Sequence, residues 1–242
     1  MRIPRIFHPD VLKVDQVIAL SADASNHLAN VLRLDSGHPI VLFNGDGTEY
    51  SGELTEVKKR QVFASVDAKL SINVESPLLI HLGQGVSRGD RMDFAIQKAV
   101  ELGVSEITPI LTERCAVKLS PERWQKKHQQ WLKLIQSACE QCGRNTLPTL
   151  HKPISLSEWL RQSTNQARVT LDPKATKSIK HLALSPQGVR LLIGPEGGLT
   201  DNEIYSTEQV GFDAVQMGPR VLRTETAAIA AISALQAIHG DL

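Results

Sequence analysis

The first seventy or so residues contain short apolar runs and stretches in which apolar and polar residues alternate with a period near two. These segments are residues 17–20, 40–43, 50–57 and 61–68. Because side chains alternate between the two faces of a strand, the pattern predicts a small β structure with one buried face. A short helix is expected at about residues 23–34, with an inner face formed by Leu28, Val31 and Leu32.

From about residue 77 the pattern changes to apolar runs that alternate with helical periodicity, which is typical of an α/β layer fold. The expected strands are residues 78–82, 107–111, 168–171, 189–193 and 214–217. The expected helices span about 90–102, begin at 120–121 and at 200–203, and span 225–238. We therefore expect two domains, residues 1–72 and residues 73–242.

Composition limits the classes of function. The 242 residues include 27 basic and 26 acidic side chains, for a formal net charge of +1. A protein that binds nucleic acid through bulk charge alone is far more basic, so an RNA partner requires locally gathered basic groups.

The cysteines and the apolar runs bear on where the protein is found. Three cysteines are too few, and odd in number, for a disulfide framework. No apolar run is long enough for a membrane helix, and the first residues lack the apolar run of a signal peptide. We expect a cytoplasmic protein that does not associate with membranes.

A glycine-rich turn at residues 191–200 follows a buried strand and precedes a helix. Glycines let backbone groups approach a ligand closely, and open α/β sheets bind ligands at the carboxyl ends of their strands. Thr200 and Glu203 have the spacing of a capping box, so a helix should begin there. A tight turn that merely needs positive φ is the alternative interpretation. The glycine spacing matches neither the dinucleotide fingerprint nor the phosphate loop.

A second strand ends in glycine at residues 217–227, and a polar segment leads into an apolar helix. Arg223 and Glu225 flank Thr224 at the start of that helix. A structural salt link is the simpler interpretation of one isolated pair. Two such strand ends within thirty residues favour a shared ligand site with backbone donors and apolar walls. Such a pocket suits a cofactor of the adenosine type.

Cys139 and Cys142 form a C-x-x-C pair near the end of a long predicted helix. A structural zinc site normally needs four ligands, and the sequence has no second pair of this kind. A redox role would need a thioredoxin-like context, which is missing. We therefore expect no metal, and we interpret the polar cluster around Arg144 as a contact for RNA or another subunit.

These motifs together resemble the ribosomal small-subunit uridine N3-methyltransferases (RsmE), which are enzymes of the SPOUT class. The likeness rests on residues 2–7, 91–103, 113–115, 140–144, 193–199 and 217–227. The resemblance covers essentially the whole chain. It implies a PUA-like RNA-binding β-barrel followed by a SPOUT α/β domain with a deep trefoil knot. It also implies a homodimer, S-adenosylmethionine (SAM) as the cofactor, and a uridine of 16S rRNA in the small ribosomal subunit as the target.

The same resemblance implies the cofactor contacts, which we expect at the two glycine loops and the strand ends beside them. They are Leu171, Leu192, Ile193, Gly194, Pro195, Glu196, Gly197, Met217, Gly218, Val221, Leu222, Thr224 and Ala227. Arg223 is expected to orient the uracil and stabilise its developing anion. Glu196 or Glu225 is expected to take the N3 proton, directly or through water, and the sequence does not choose between them.

RNA affinity is expected from basic side chains, most of them in the first domain. They are Arg2, Arg5, Arg33, Lys58, Lys59, Arg60, Arg91 and Arg144. Each of these taken alone also fits an ordinary charged surface residue. We expect the final helix, with the long helix that carries Trp124 and Trp131, to form the dimer interface.

Two alternatives stay open at the level of sequence. One is a SPOUT methyltransferase that acts on another RNA, such as transfer RNA or the large-subunit RNA. The other is a non-catalytic ribosome-assembly factor that binds RNA and a nucleotide.

Overall fold

The structure, a computed structural model, describes residues 3–242. Arg2, one of the expected RNA contacts, lies outside the described residues. The chain divides into two compact units. The first comprises the chain up to Glu75 together with Cys139–Leu147, and the second comprises Ser76–Ala138 with Pro148–Leu242.

Within the described part of the first unit, six strands form one sheet in the order β1-β3-β4-β5-β2, with β6 paired to β4. The strands are β1 (Arg5–Phe7), β2 (Gln16–Ala19), β3 (Pro39–Phe43), β4 (Glu49–Val57), β5 (Val62–Val66) and β6 (Ala68–Leu70). Alternate residues of β5 are buried, so period two places Val62, Ala64 and Val66 in the core.

One short helix interrupts these strands, as expected, but its inner face differs from the prediction. Helix α1 (Ala22–Asn26) continues into a π-helical turn at His27–Val31, where the Leu32 N–H donates to the His27 carbonyl at 2.9 Å. The wider turn rotates later side chains relative to an α-helix. Leu28 is therefore fully buried, whereas Val31 is 63% exposed and Leu32 is 38% exposed. The expectation that all three face inward was wrong.

The described second unit is an α/β structure with a seven-stranded sheet in the order β10-β8-β7-β12-β11-β13, in which β9 pairs with β8. All its ladders are parallel. The strands are β7 (Ile80–Gly85), β8 (Glu106–Leu111), β9 (Thr149–Leu150), β10 (Ile154–Ser155), β11 (Ala167–Leu171), β12 (Val189–Ile193) and β13 (Asp213–Val215). Central strands β7 and β12 are buried along their whole length, as helices on both faces of a parallel sheet require.

Helices follow most of these strands. They are α2 (Asp90–Glu101), α3 (Pro121–Cys142), α4 (Leu156–Arg161), α5 (Asp201–Gln209) and α6 (Thr224–His239). The predicted capping box at α5 is confirmed, because the Thr200 hydroxyl accepts from the Glu203 N–H at 3.1 Å and Glu203 accepts from the Thr200 N–H at 2.9 Å. None of the described helices is long and apolar enough to cross a membrane.

Candidate functional site: a cleft at the carboxyl ends of three parallel strands

The carboxyl ends of β11, β12 and β13 open into one cleft with a volume of about 660 Å³. Leu171, Ile193 and Val215, the last residues of these strands, all line it. The loop after β12 (194–200) and the loop after β13 (216–223) form much of the wall. We call them the first loop and the second loop. The cleft thus occupies the edge where parallel sheets bind ligands.

The expected cofactor residues line this cleft, with the exception of Leu192. Leu192 precedes Ile193 on the same strand, and successive strand side chains point to opposite faces. It is fully buried and packs with Trp159 and Phe212 in a core cluster. Its position gives it a packing role behind the cleft.

The first loop turns through Gly198, whose φ of +69° is in the left-handed region that favours glycine. The Gly198 N–H donates to the Pro195 carbonyl at 2.9 Å and closes the turn. Arg114 crosses the loop and donates to the Gly197 carbonyl at 2.9 Å. These contacts give the loop one defined shape.

The second loop is more open. Gly218 has a φ of +96°, and Val221 is 81% exposed. The loop ends at Arg223, which is the N-cap residue of α6 and is exposed. The positive end of the helix dipole and the Arg223 guanidinium therefore lie at the same side of the cleft, where they favour a negative charge on a ligand.

The sequence interpretation missed several charged residues of the cleft. They are Arg114, Asp172, Lys174, Asp201 and Arg220. Lys174 and Asp201 pair at 2.7 Å on the surface. The sequence contained a signal for Asp172 and Lys174. The segment Asp172-Pro173-Lys174 directly follows strand β11, just as the two glycine loops follow β12 and β13.

The Glu196 carboxylate accepts hydrogen bonds from two other residues of the protein. Its Oε1 atom accepts from the Arg88 N–H at 2.8 Å and from Arg91 Nη1 at 3.3 Å. Partial burial opposes ionisation, but the hydrogen bonds from Arg88 and from its own backbone, with the Arg91 charge, lower the pKa of the Glu196 carboxyl below its ordinary value. A carboxylate with a lowered pKa is a weak proton acceptor.

Glu225 differs from Glu196 in its surroundings. It lies in the first turn of α6 and lines the cleft. Its Oε2 atom is buried and has no hydrogen-bond partner among the described residues. An unpaired buried carboxylate oxygen is costly, so a ligand group that donates a hydrogen bond there is favoured.

Comparison with known proteins identifies the family. Residues 74–236 match a model described as an RNA methyltransferase domain, and residues 20–67 match an RNA methyltransferase PUA domain. The chain is 40% identical over 242 residues to a ribosomal RNA small subunit methyltransferase E from Buchnera aphidicola subsp. Schizaphis graminum, covering 100% of this chain and 98% of the relative. A relative of the same name from Bacillus subtilis is 34% identical, with 92% of each chain covered.

The chain belongs to the ribosomal RNA small subunit methyltransferase E family. A solved family member from Neisseria gonorrhoeae, bound to S-adenosyl methionine, matches the structure with a TM-score of 0.92 and 37% identity over 100% of both chains. A Legionella pneumophila structure in complex with the bound cofactor SAM matches with a TM-score of 0.97 and 46% identity, again over 100% of both chains. The family resemblance inferred from the sequence is therefore confirmed, together with the α/β class and the PUA domain.

Two of the arginines expected to contact RNA, Arg5 and Arg144, form ion pairs with glutamates of the first unit instead. Arg5 pairs with Glu49 and donates to the Arg144 carbonyl at 3.2 Å, and its guanidinium lies 5.1 Å from the centre of the Phe43 ring. The Arg144 side chain, 5% exposed, pairs with Glu75 at 2.5 Å. Their charges are already compensated, so the structure favours a structural role for both.

The remaining basic residues of that set are accessible. Arg33, Lys58, Lys59 and Arg60 are exposed in the first unit. Lys58 forms only a surface pair with Glu56, at 2.7 Å. Arg91, in the second unit, lines the cleft beside Glu196.

A histidine cluster lies at the amino ends of the strands, on the edge opposite the cleft. His151 Nε2 is 2.8 Å from Glu106 Oε2, His81 Nδ1 is 3.8 Å from the same oxygen, and His81 Nε2 is 2.7 Å from Thr108 Oγ1. Burial lowers the pKa of His81 to about 4, although Glu106 partly opposes the shift. The polar groups of this cluster therefore find their hydrogen-bond partners within the cluster itself.

Proposed function

We propose that this chain is a SAM-dependent methyltransferase of small-subunit ribosomal RNA and that it methylates N3 of a uridine. The proposal rests on one observation above all. The cleft at three parallel strand ends is lined by both glycine loops and by Glu225, whose Oε2 is buried without a partner among the described residues, on a fold shared with relatives solved with SAM. Its apolar walls and backbone carbonyls suit an adenosine group.

The residues of the cleft fit the cofactor. Leu171, Ile193 and Leu222 offer apolar surface for the adenine, and the loop after β12 offers backbone donors and acceptors. When bound, SAM supplies a methyl group on a positively charged sulfonium. Oε2 of Glu225 is a buried acceptor without a partner among the described residues, which favours a hydrogen-bond donor on a bound ligand.

The chain's own residues must align the uracil and remove one proton. As the N3–CH₃ bond forms and the S–CH₃ bond breaks, the N3 proton has to pass to a base. Glu225 is the better candidate, because Glu196 is held by two arginines and is a weak acceptor. Arg223, which is exposed at the same helix start, is the residue that we propose orients the uracil and stabilises its developing anion.

The test is methylation of small ribosomal subunits taken from a strain that lacks this protein. Mass spectrometry of the digested RNA should show N3-methyluridine with the wild-type protein. Glu225→Gln should lower kcat by about 10²- to 10⁴-fold, the usual contribution of a general base. Glu208→Gln, an exposed change on α5, serves as the matched control. A methyl group on another atom or another RNA would overturn the proposed specificity.

We also propose the finer architecture that the family resemblance implies. The first domain (1–72) would form the PUA-like barrel, and the second (73–242) the knotted SPOUT domain and the dimer interface. The Thr224 hydroxyl donates to the Gly194 carbonyl at 2.6 Å, so the start of α6 lies against the first loop. This close approach of two segments supports the proposed knot. Val221 and Ile238, 81% and 46% exposed, are apolar surface for a second copy.

Sedimentation tests the dimer. The wild-type protein should sediment as a homodimer at micromolar concentration. Trp131 is an unsuitable probe of that interface, since it is 1% exposed and its ring N–H donates to Asp93 at 2.9 Å within the protomer. A monomer under these conditions would refute the proposed assembly.

A further inference from the structure

Gln84 is a buried polar residue behind the cleft. It lies on β7, the neighbour of β12 in the sheet, and has no exposed surface. It does not line the cleft, and the sequence patterns did not single it out. Burying a primary amide within a central strand is costly unless its groups are hydrogen-bonded, so the contacts of Gln84 indicate why the fold holds an amide here.

The Gln84 amide begins a short chain of hydrogen bonds. Its Nε2 atom donates to Thr224 Oγ1 at 2.9 Å, and the Thr224 hydroxyl donates to the Gly194 carbonyl at 2.6 Å. Gln84 Nε2 also donates to the Gly85 carbonyl at 3.2 Å. Gly194 begins the first loop, and Thr224 directly follows the second. One buried side chain therefore connects both loops that form the cleft.

The direction of this chain is fixed by chemistry. A hydroxyl has a single proton, so a Thr224 hydroxyl that donates to the Gly194 carbonyl must act as the acceptor in its contact with Gln84 Nε2. Rotating the amide by 180° would leave the Gly85 carbonyl without this donor and would make Gln84 Oε1 compete with the Gly194 carbonyl for the single Thr224 proton. In the observed orientation, Gln84 Oε1 is the one polar atom of this hydrogen-bond chain that has no partner among the described residues. The hydrogen bonds that connect both loops therefore leave one buried oxygen, Gln84 Oε1, without a partner in the described part of the chain.

We infer that Gln84 is a positioning residue for the methyl transfer, acting through Thr224 to hold the two loops in register. This inference rests on the proposed function. Residues of the first loop are proposed contacts of SAM, whereas Arg223 ends the second loop and Glu225 lies in the first turn of α6 beyond it. Loop register therefore sets the spacing between the cofactor and the proposed reacting groups. A misplacement near 1 Å costs about 10²-fold in rate.

Three substitutions probe the connection. Gln84→Met keeps the shape and removes the amide, and Thr224→Val keeps the volume and removes the hydroxyl. Both should lower kcat about 10²-fold, with a much smaller change in the Kd for SAM, because many contacts share the binding of the cofactor. Thr224→Ser retains the hydroxyl and should restore kcat to within a few-fold of wild type.

Gln236→Met is the matched control for burial. Gln236 is also fully buried in the second unit, accepts from Ser76 Oγ at 2.7 Å and donates to the Leu102 carbonyl at 2.8 Å, but it does not line the cleft. The Gln236→Met variant should be less stable than the wild-type protein, but its folded molecules should have the wild-type kcat. Equal kcat losses per folded molecule in Gln84→Met and Gln236→Met, or a failed rescue by Thr224→Ser, would overturn the inference.

Hydrogen exchange separates failure of this inference from failure of the proposed function. An inactive wild-type protein would reject the methyltransferase proposal. The inference would then be decided by backbone exchange in residues 194–199, which should rise in Gln84→Met and Thr224→Val but stay unchanged in Gln236→Met. Unchanged exchange in all three variants would reject the connection between the loops.

Discussion

Replacing Arg5 separates a structural role from an RNA contact. The Arg5 and Glu49 side chains are only 10% and 2% exposed. Arg5→Met removes the cation and leaves the Glu49 carboxylate buried without its partner, which costs about 3–5 kcal/mol. The stacking of the guanidinium on Phe43 is lost as well. Since a domain is stable by only about 5–15 kcal/mol, the first unit should lose a large part of its stability.

A second variant and a surface control make the result specific. Arg5→Met combined with Glu49→Met replaces the buried pair by apolar groups and should recover most of the loss, because a well-packed apolar pair is about as stable as a buried ion pair. Arg60→Met, an exposed change in the same unit, should alter stability by no more than about 0.5 kcal/mol. It should instead lower the salt slope of RNA binding by about one unit.

The assay combines hydrogen exchange with RNA binding. Exchange measured peptide by peptide reports the stability of β1, β3 and β4 directly. All three tryptophans, Trp124, Trp131 and Trp159, lie in the second unit, so their fluorescence reports that unit instead. If Arg5→Met retained wild-type stability and lost one unit of salt slope, Arg5 would be a phosphate contact and the structural argument would be refuted.

Three further predictions follow from the second unit and its cysteines. Because burial lowers the His81 pKa to about 4, stability should fall as pH drops from the unfolded value near 6.5 towards 4. The loss should be about 2 kcal/mol between pH 7 and pH 5, and His81→Asn should flatten this dependence in urea unfolding followed by tryptophan fluorescence. Burial raises the pKa of Cys139 to about 12, so iodoacetamide at pH 8 should label the half-buried Cys142 first; equal labelling by mass spectrometry would contradict this. In Gly197→Val, the new Cβ would lie 3.0 Å from Arg114 Cβ, so Arg114 or the first loop must shift, and calorimetry should show weaker SAM binding while circular dichroism shows a folded domain.

Local rules determined much of this protein from the sequence alone. The capping box at Thr200 and Glu203 formed as its spacing predicts, because its hydrogen bonds join residues three apart. The apolar runs gave the central strands, since a strand covered on both faces needs apolar side chains throughout. The combined motifs gave the family, and both glycine loops line one cleft because the carboxyl ends of parallel strands meet at one edge.

The tertiary structure decided what depends on partners far apart in the chain. Arg5 meets Glu49 across 44 positions, and Gln84 meets Thr224 across 140. Sequence shows that an arginine is basic but not whether the fold buries it beside a carboxylate. The choice between Glu196 and Glu225 was open for the same reason, because the sequence shows two glutamates and not their surroundings. The fold gives Glu196 hydrogen bonds from Arg88 and Arg91, and it buries Glu225 Oε2 without a partner among the described residues. Burial and charge compensation are properties of the surroundings, and those surroundings exist only once distant segments have packed together.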